Sequence, residues 1–222
     1  MTKLAHSYTA IKQYNSCPKR YYHQRITKEV KDQPGAATVY GERVHKQLED
    51  YLKAPTNALP AESAALKPLC DMFTEQVQGS GQILVEQEYT LNSNLEPTNW
   101  FAPDAWLRFK LDVLVVRDNN TAIVADWKTG KRRPDFDQLE MFALAVFKFW
   151  PEVTKVSSLF IWTKENAIDK EIYRREHEDA MWTKLMTNIH RIEKSLETDN
   201  WPAKPSGLCK FCPCKGFCEF AA

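Results

Sequence analysis

The chain has 222 residues, 43% of them hydrophobic, with 30 lysines and arginines against 29 aspartates and glutamates. That length and apolar content suffice for one well-buried core, and a net charge of +1 excludes the overall basic signature of a non-specific nucleic-acid binder, so any basic surface must be local. No apolar run approaches the roughly 18 residues of a membrane span, and the start "MTKLAHSYTA" lacks the apolar core of a secretory signal, so a soluble, cytoplasmic protein is expected.

In chain order, Ser7 or Thr9 is placed to cap a helix carrying Ile11, Tyr14 and Ile26, and Pro18 in "SCPKRYYHQR" suits the opening of a further helical turn. "TVYGERVHKQLEDYL" repeats apolar residues at Val44, Leu48, Tyr51 and Leu52, the spacing of an amphipathic helix, which "APTNALPAES" interrupts. A further helix is expected from Ala64 to Gln78, and "GSG" at 79–81 marks the change to extended structure. "ILVEQEYTL", "AWLRFKLDVLVVRD" and "TAIVADWKT" read as strands, the last two joined by the turn signal Asp118-Asn119-Asn120. "DFDQLEMFALAVFKFW" returns to helical periodicity and is stopped by Pro151, "KVSSLFIWTK" reads as another strand, and "EDAMWTKLMTNIHRIEKSLE" as a long amphipathic helix leading into a cysteine-rich tail. This order predicts a single α/β (α+β) domain with a mixed sheet, parsed as a helical part (1–80), a core (81–200) and the tail (201–222).

The short apolar run before Asp126-Trp127-Lys128 carries a carboxylate and an ammonium at the end of a buried strand, which is costly unless they are paired. Strand alternation puts Asp126 and Lys128 on one face and Trp127 on the other. If the preceding strand pairs through the 118–120 hairpin, Asp112 comes within a few ångströms of Asp126, and two such carboxylates repel unless a cation lies between them. A hard divalent ion, Mg²⁺ or Mn²⁺, meets that need with oxygen ligands, and Lys128 could orient an attacking water or offset charge on a phosphate. A plain Asp–Lys ion pair is the bland alternative. His45, bordering the apolar stripe of its helix, could complete the ligand set, and Gln138 lies near the start of the helix after the loop "GKRRP". Lys131, Arg132 and Arg133 in that loop are the densest basic cluster and could hold a phosphodiester backbone, with a solvated charge run as the alternative.

The order Gly41-x-x-x-His45, Asp112 in a strand, Asp126-x-Lys128 and Gln138-x-x-x-Phe142 resembles the PD-(D/E)XK nucleases, in particular their RecB-like branch. The resemblance implies a restriction-endonuclease-like core, a metal site of His45, Asp112 and Asp126, catalytic roles for Asp112, Asp126, Lys128 and Gln138, and DNA as the substrate. Asp126 stands where many relatives have Glu, which the pattern permits. Phe142 replaces the usual Tyr and removes a hydroxyl.

With no export signal, six cysteines suit metal-binding thiols better than disulfides. Cys209, Cys212 and Cys218 supply three thiolates, and Cys17, before a proline at a helix start, is the natural fourth; four thiolates suit zinc or an iron–sulfur cluster. The sequence also resembles the subset of RecB-like nucleases, including the AddB nuclease domain and CRISPR adaptation exonucleases, that carry a [4Fe–4S] cluster on one upstream and three C-terminal cysteines. That resemblance implies N-terminal helices clipped to the tail, with zinc as the alternative metal. Cys214 could replace a triad member or stay free, and Cys70 reads as a small buried apolar residue. The expected function is a metal-dependent deoxyribonuclease, an exonuclease in recombination, repair or phage DNA processing. A catalytically weak DNA-binding or assembly module is the other reading.

Overall fold

The computed structural model describes residues 4–54, 58–77 and 81–221. The chain divides into two compact units, Met1–Ala5 with Gly35–Trp182, and His6–Pro34 with Thr183–Ala222. The sequence-order parse differs from this grouping, since residues 35–54 and 58–77 belong with the strands and residues 183–198 with the N-terminal helices.

The larger unit is built on a six-stranded mixed sheet in the order β2-β1-β3-β4-β5-β6. Its strands are β1 (Gln82–Leu91), β2 (Pro97–Thr98), β3 (Leu107–Val116), β4 (Thr121–Lys128), β5 (Lys155–Trp162) and β6 (Ala167–Arg174). β1, β3 and β4 form an antiparallel meander, while β4 and β5 run parallel because the helix α5 (Phe136–Phe149) crosses between them. The restriction-endonuclease-like mixed sheet flanked by helices is thus present, two strands larger than the sequence pattern indicates. β2 is only two residues long, and β6 is a polar edge strand whose exposed residues carry too little apolar alternation to be recognised.

Helix α3 (Ala36–Lys53) buries the stripe Val44, Leu48, Tyr51 and Leu52 read from its periodicity, and α4 (Lys67–Glu75) adds Cys70 and Phe73. Against them pack Val85, Val113, Val115, Ala125, Trp127, Leu159 and Ile161 from the sheet. Cys70 is fully buried there, as its apolar reading requires. α5 contacts β3, β4, β5 and β6 and buries eight residues from Leu139 to Phe147, the composition of a helix enclosed on most sides. Phe142, at 4% exposure, is one of them, so its missing hydroxyl falls in a packed position. Of the break expected after α3, residues 55–57 lie outside the described residues. So do residues 79 and 80 of the predicted 79–81 turn, and Gln78, the expected end of the preceding helix.

In the smaller unit, α1 (Tyr8–Ser16) starts at Ser7, whose hydroxyl accepts from the Ala10 amide at 3.4 Å, and α2 (Pro18–Tyr21) begins with the proline. The chain then forms one π-helical turn, Tyr22–Ile26, rather than a continuous α-helix. Trp201 packs among Tyr14, Tyr21 and Tyr22, with ring centroids 6.3, 5.9 and 5.3 Å away. The Tyr14 hydroxyl reaches Ser195 Oγ at 2.6 Å in α6 (Glu178–Thr198), and Lys204 Nζ donates to the Asn15 carbonyl at 2.7 Å. These contacts fasten the N-terminal helices to the C-terminal segment.

Candidate active site

The β3–β4 register runs Val116↔Ala122, Val115↔Ile123, Leu114↔Val124 and Val113↔Ala125, so Asp112 and Asp126 face each other one step beyond the last pair. There the strands part, and instead of a ladder bond the Trp127 amide donates to Asp112 Oδ2 at 2.9 Å. Both carboxylates are buried, at 7% and 6% exposure. Burial, and then the Asp126 carboxylate, push the Asp112 carboxyl well above the usual range. Burial also raises Asp126, with Lys128 pulling the other way. Lys128 Nζ lies 2.6 Å from Asp126 Oδ2, and Trp127 turns to the opposite face into the α3/α4 core, as alternation requires.

Gln138, in the first turn of α5, joins the pair: its Oε1 accepts from Lys128 Nζ at 2.9 Å and its Nε2 donates to Asp126 Oδ1 at 3.1 Å. Lys128 also sits 4.9 Å over the Phe160 ring on β5. The ammonium is therefore fixed on three sides before any substrate arrives.

From α3, His45 Nε2 lies 2.8 Å from the Trp127 carbonyl oxygen, and Nδ1 lies 3.4 Å from Asp112 Oδ2. A carbonyl only accepts, so Nε2 is the donor in that contact. Gly41, one turn earlier, allows this approach: a Cβ there would stand 2.8 Å from Thr129 Oγ1.

Sequence reasoning missed Glu86. One ligating atom each of His45, Glu86 and Asp112 lies within 4.8 Å of the others, and these residues share a cleft of about 400 Å³ with Gly41 and Lys110. Such an imidazole and carboxylate donor set fits a divalent cation. Glu86 has φ +53°, a conformation a non-glycine residue adopts at a cost. The turn has a visible consequence. Val85 packs into the α3/α4 core, whereas Tyr89, four residues on and expected on the same face, stacks on Phe149 and Trp150 at the end of α5. β1 thus reverses its faces at Glu86, which carries the carboxylate into the cleft, where Lys110 Nζ pairs with it at 2.9 Å. The signal in sequence was only one acid of two in "VEQEY" with its partner still unplaced.

All three basic residues of the 131–133 loop are exposed, but their surroundings differ. Arg132 grips Asp169 through Nε at 3.0 Å and Nη2 at 2.5 Å, its amide donates to Glu165, and Trp162 Nε1 also donates to Asp169 at 2.7 Å. Arg132 is thereby spent on anchoring the loop to β6, while Lys131 and Arg133 are exposed on the same loop, which follows β4.

In the smaller unit, Cys17, Cys209, Cys212, Cys214 and Cys218 line one pocket of about 230 Å³. The Lys204 amide donates to Cys17 Sγ at 3.4 Å and the Ser206 amide to Cys209 Sγ at 3.2 Å. Cys214 is the buried member. Burial, followed by the neighbouring Cys212, pushes its thiol up to about 12.

A divergent strand pair carrying two buried aspartates, a lysine two residues after the second and a histidine from a preceding helix define a phosphodiesterase-type site. The chain matches the PD-(D/E)XK nuclease superfamily over residues 5–219 and belongs to it. Membership makes it a nuclease, with DNA as the substrate class that the superfamily implies and divalent cations as its usual cofactors. Among similar proteins, the Gene 69 protein of Mycobacterium phage D29 is 25% identical over 255 aligned positions, spanning 93% of this chain and 93% of the relative. The fold is similar to that of a candidate exonuclease from Eubacterium rectale, with a TM-score of 0.57 at 15% identity over 95% of this chain and 86% of that one. It is also similar to SSO0001, with a TM-score of 0.50 at 16% identity over 100% of this chain and 88% of that one. Among the described residues no helix is long and apolar enough to cross a membrane.

Proposed function

We propose that this chain is a Mg²⁺- or Mn²⁺-dependent exonuclease that hydrolyses phosphodiester bonds from DNA ends. The observation that carries this reading is the convergence of Asp112 and Asp126 at facing positions, with Lys128 Nζ 2.6 Å from Asp126, in a chain of this superfamily. His45, Asp112 and Asp126 are the ligands read from the sequence, and the cleft adds Glu86. A divalent ion held there supplies Lewis-acid stabilisation of the charge that develops on the phosphoryl oxygens. Lys128 orients the attacking water and offsets charge on the oxygen it forms a bond through, while Gln138 keeps Lys128 and Asp126 in register. Water adds to phosphorus in line and gives up a proton to solvent as the opposite P–O bond breaks, and the departing oxygen leaves with its electron pair and takes up a proton in turn. Lys131 and Arg133 hold the strand by its phosphates.

The exonuclease assignment draws support from the candidate exonuclease that shares the fold, and a role in phage DNA processing, recombination or repair from the phage relative. Closed circular and linear single-stranded DNA of one sequence, each incubated with Mn²⁺, test the reading. The linear form alone should be degraded, and cleavage of the circle at an equal rate would replace exonuclease with endonuclease.

Cys17, Cys209, Cys212 and Cys218 are read as ligands of a structural [4Fe–4S] cluster, with Cys214 left as a protonated neighbour. Iron and acid-labile sulfide measured against zinc in anaerobically purified protein separate the two.

A further inference from the structure

Away from the metal cleft, the most exposed large apolar side chain among the described residues is Phe101, with 88% of its surface free. It stands in the segment 92–106 that joins β1 to β3. That segment is tightly built. Asn92 Oδ1 accepts from the amides of Asn94 and Glu96 at 2.9 and 3.0 Å, and Thr98 Oγ1 donates to Asp104 at 2.9 Å. The Ala102 and Ala105 amides close successive turns on Asn99 and Ala102, and the Trp106 amide returns to the Leu91 carbonyl at 2.9 Å. Arg108 completes it, stacking its guanidinium 5.0 Å over the Trp100 ring and donating to the Trp100 carbonyl at 2.5 Å. The loop therefore presents a fixed aromatic face to water, and a preorganised face loses little freedom when it binds.

Its location ties it to the site. Alternation puts Arg108 on the strand face of Lys110 and Asp112, both of which line the metal cleft. Four strand steps carry the chain from Arg108 to Asp112, about 13 Å, so the Trp100–Phe101 tip stands a few nucleotides from the metal ligands along an extended strand. Between them the charges nearly cancel, because Lys110 is paired with Glu86 and faces Glu88 across the ladder. That face does not attract phosphates. What the tip offers is a π surface, which any unpaired base can stack on.

We propose that Phe101 is a stacking platform for one unpaired base of the substrate strand, a few nucleotides from the scissile phosphate. The proposal rests on the nuclease reading and adds a specific contact to it. Binding of fluorescent single-stranded oligonucleotides, measured with Ca²⁺ in place of Mn²⁺, tests it. Phe101→Ala is expected to weaken binding about tenfold and Phe101→Tyr less than about twofold. An abasic residue walked along the oligonucleotide should reproduce the Phe101→Ala loss at one position in the wild type and have no effect there in Phe101→Ala. Unchanged binding by Phe101→Ala, an equal loss in Phe101→Tyr, or abasic effects that add to the mutation would each overturn it. The two claims fail separately: DNA bound through Phe101 but never cut with Mn²⁺ sinks the hydrolase reading alone, and cleavage with Phe101→Ala binding intact sinks the stacking platform alone.

Discussion

The Trp127 peptide holds both sides of the metal cleft: its amide donates to Asp112 Oδ2 at 2.9 Å and its carbonyl receives His45 Nε2 at 2.8 Å. The residue between Asp126 and Lys128 thus sets the distance between Asp112 on its strand and His45 on its helix, while its indole anchors that peptide in the core. The arrangement stores electrostatic tension, because Asp112 is buried beside a second carboxylate.

Replacing Asp112 with Asn should expose that tension. The amide still accepts from the Trp127 N–H but carries no charge, so the metal-free variant is expected to melt above the wild type while cleaving DNA at least about 100-fold more slowly. A lower melting temperature together with lost activity would assign Asp112 a structural role. Thermal unfolding in EDTA, alongside a cleavage assay, decides it.

The pH dependence follows from the same two groups. Both carboxyls are raised in the fold, so each binds its proton more tightly there than in the unfolded chain. Their contribution to stability is complete below the unfolded carboxylate range near about pH 4 and is lost as pH rises through the folded values. A cation competes with those protons. The thermal stabilisation given by a fixed Mn²⁺ concentration should therefore grow between about pH 5.5 and about pH 8, and a shift independent of pH would contradict this cause.

Gly41→Ala offers a test in which two effects oppose each other. Alanine favours a helix interior by about 1 kcal/mol over glycine, but its Cβ would meet Thr129 Oγ1 at 2.8 Å and displace the turn that carries His45. Cleavage is expected to fall at least about tenfold, with recovery in the double variant Gly41→Ala, Thr129→Ala. A single variant as active as the wild type would show that α3 moves freely.

The three residues of the basic loop should part company in salt titrations of DNA binding. Lys131→Ala and Arg133→Ala should each lower the slope of log affinity against log salt by about one, whereas Arg132→Ala should leave it nearly unchanged because Arg132 already grips Asp169. Three equal slopes would mean that Arg132 leaves Asp169 for phosphate.

The placement of Asp112, Asp126 and Lys128 was legible in the sequence because strand alternation and a short hairpin fix their faces and register with local information alone, whereas Gln138, on a helix, was singled out by its place near the helix start and by the family resemblance. Glu86 was not, since its place depends on a positive φ that reverses β1, which no residue-type pattern announces in a run of alternating acids. Arg132 was read with Lys131 and Arg133 as a cluster that could hold a phosphodiester backbone, yet its partner Asp169 lies 37 residues away on a strand whose polar edge pattern hid it. The cysteine grouping was visible as composition and spacing. Cys214 was already set apart there from the other four, and the structure adds that it is the buried one.

The decisive measurement is cleavage of end-labelled linear DNA by the purified chain with Mn²⁺, wild type beside Asp126→Ala. Metal-dependent loss of substrate is expected with the wild type, and none above background with the variant. Equal product from both, or none from either under conditions where DNA is bound, would contradict a site in which Asp112 and Asp126 hold one cation beside Lys128.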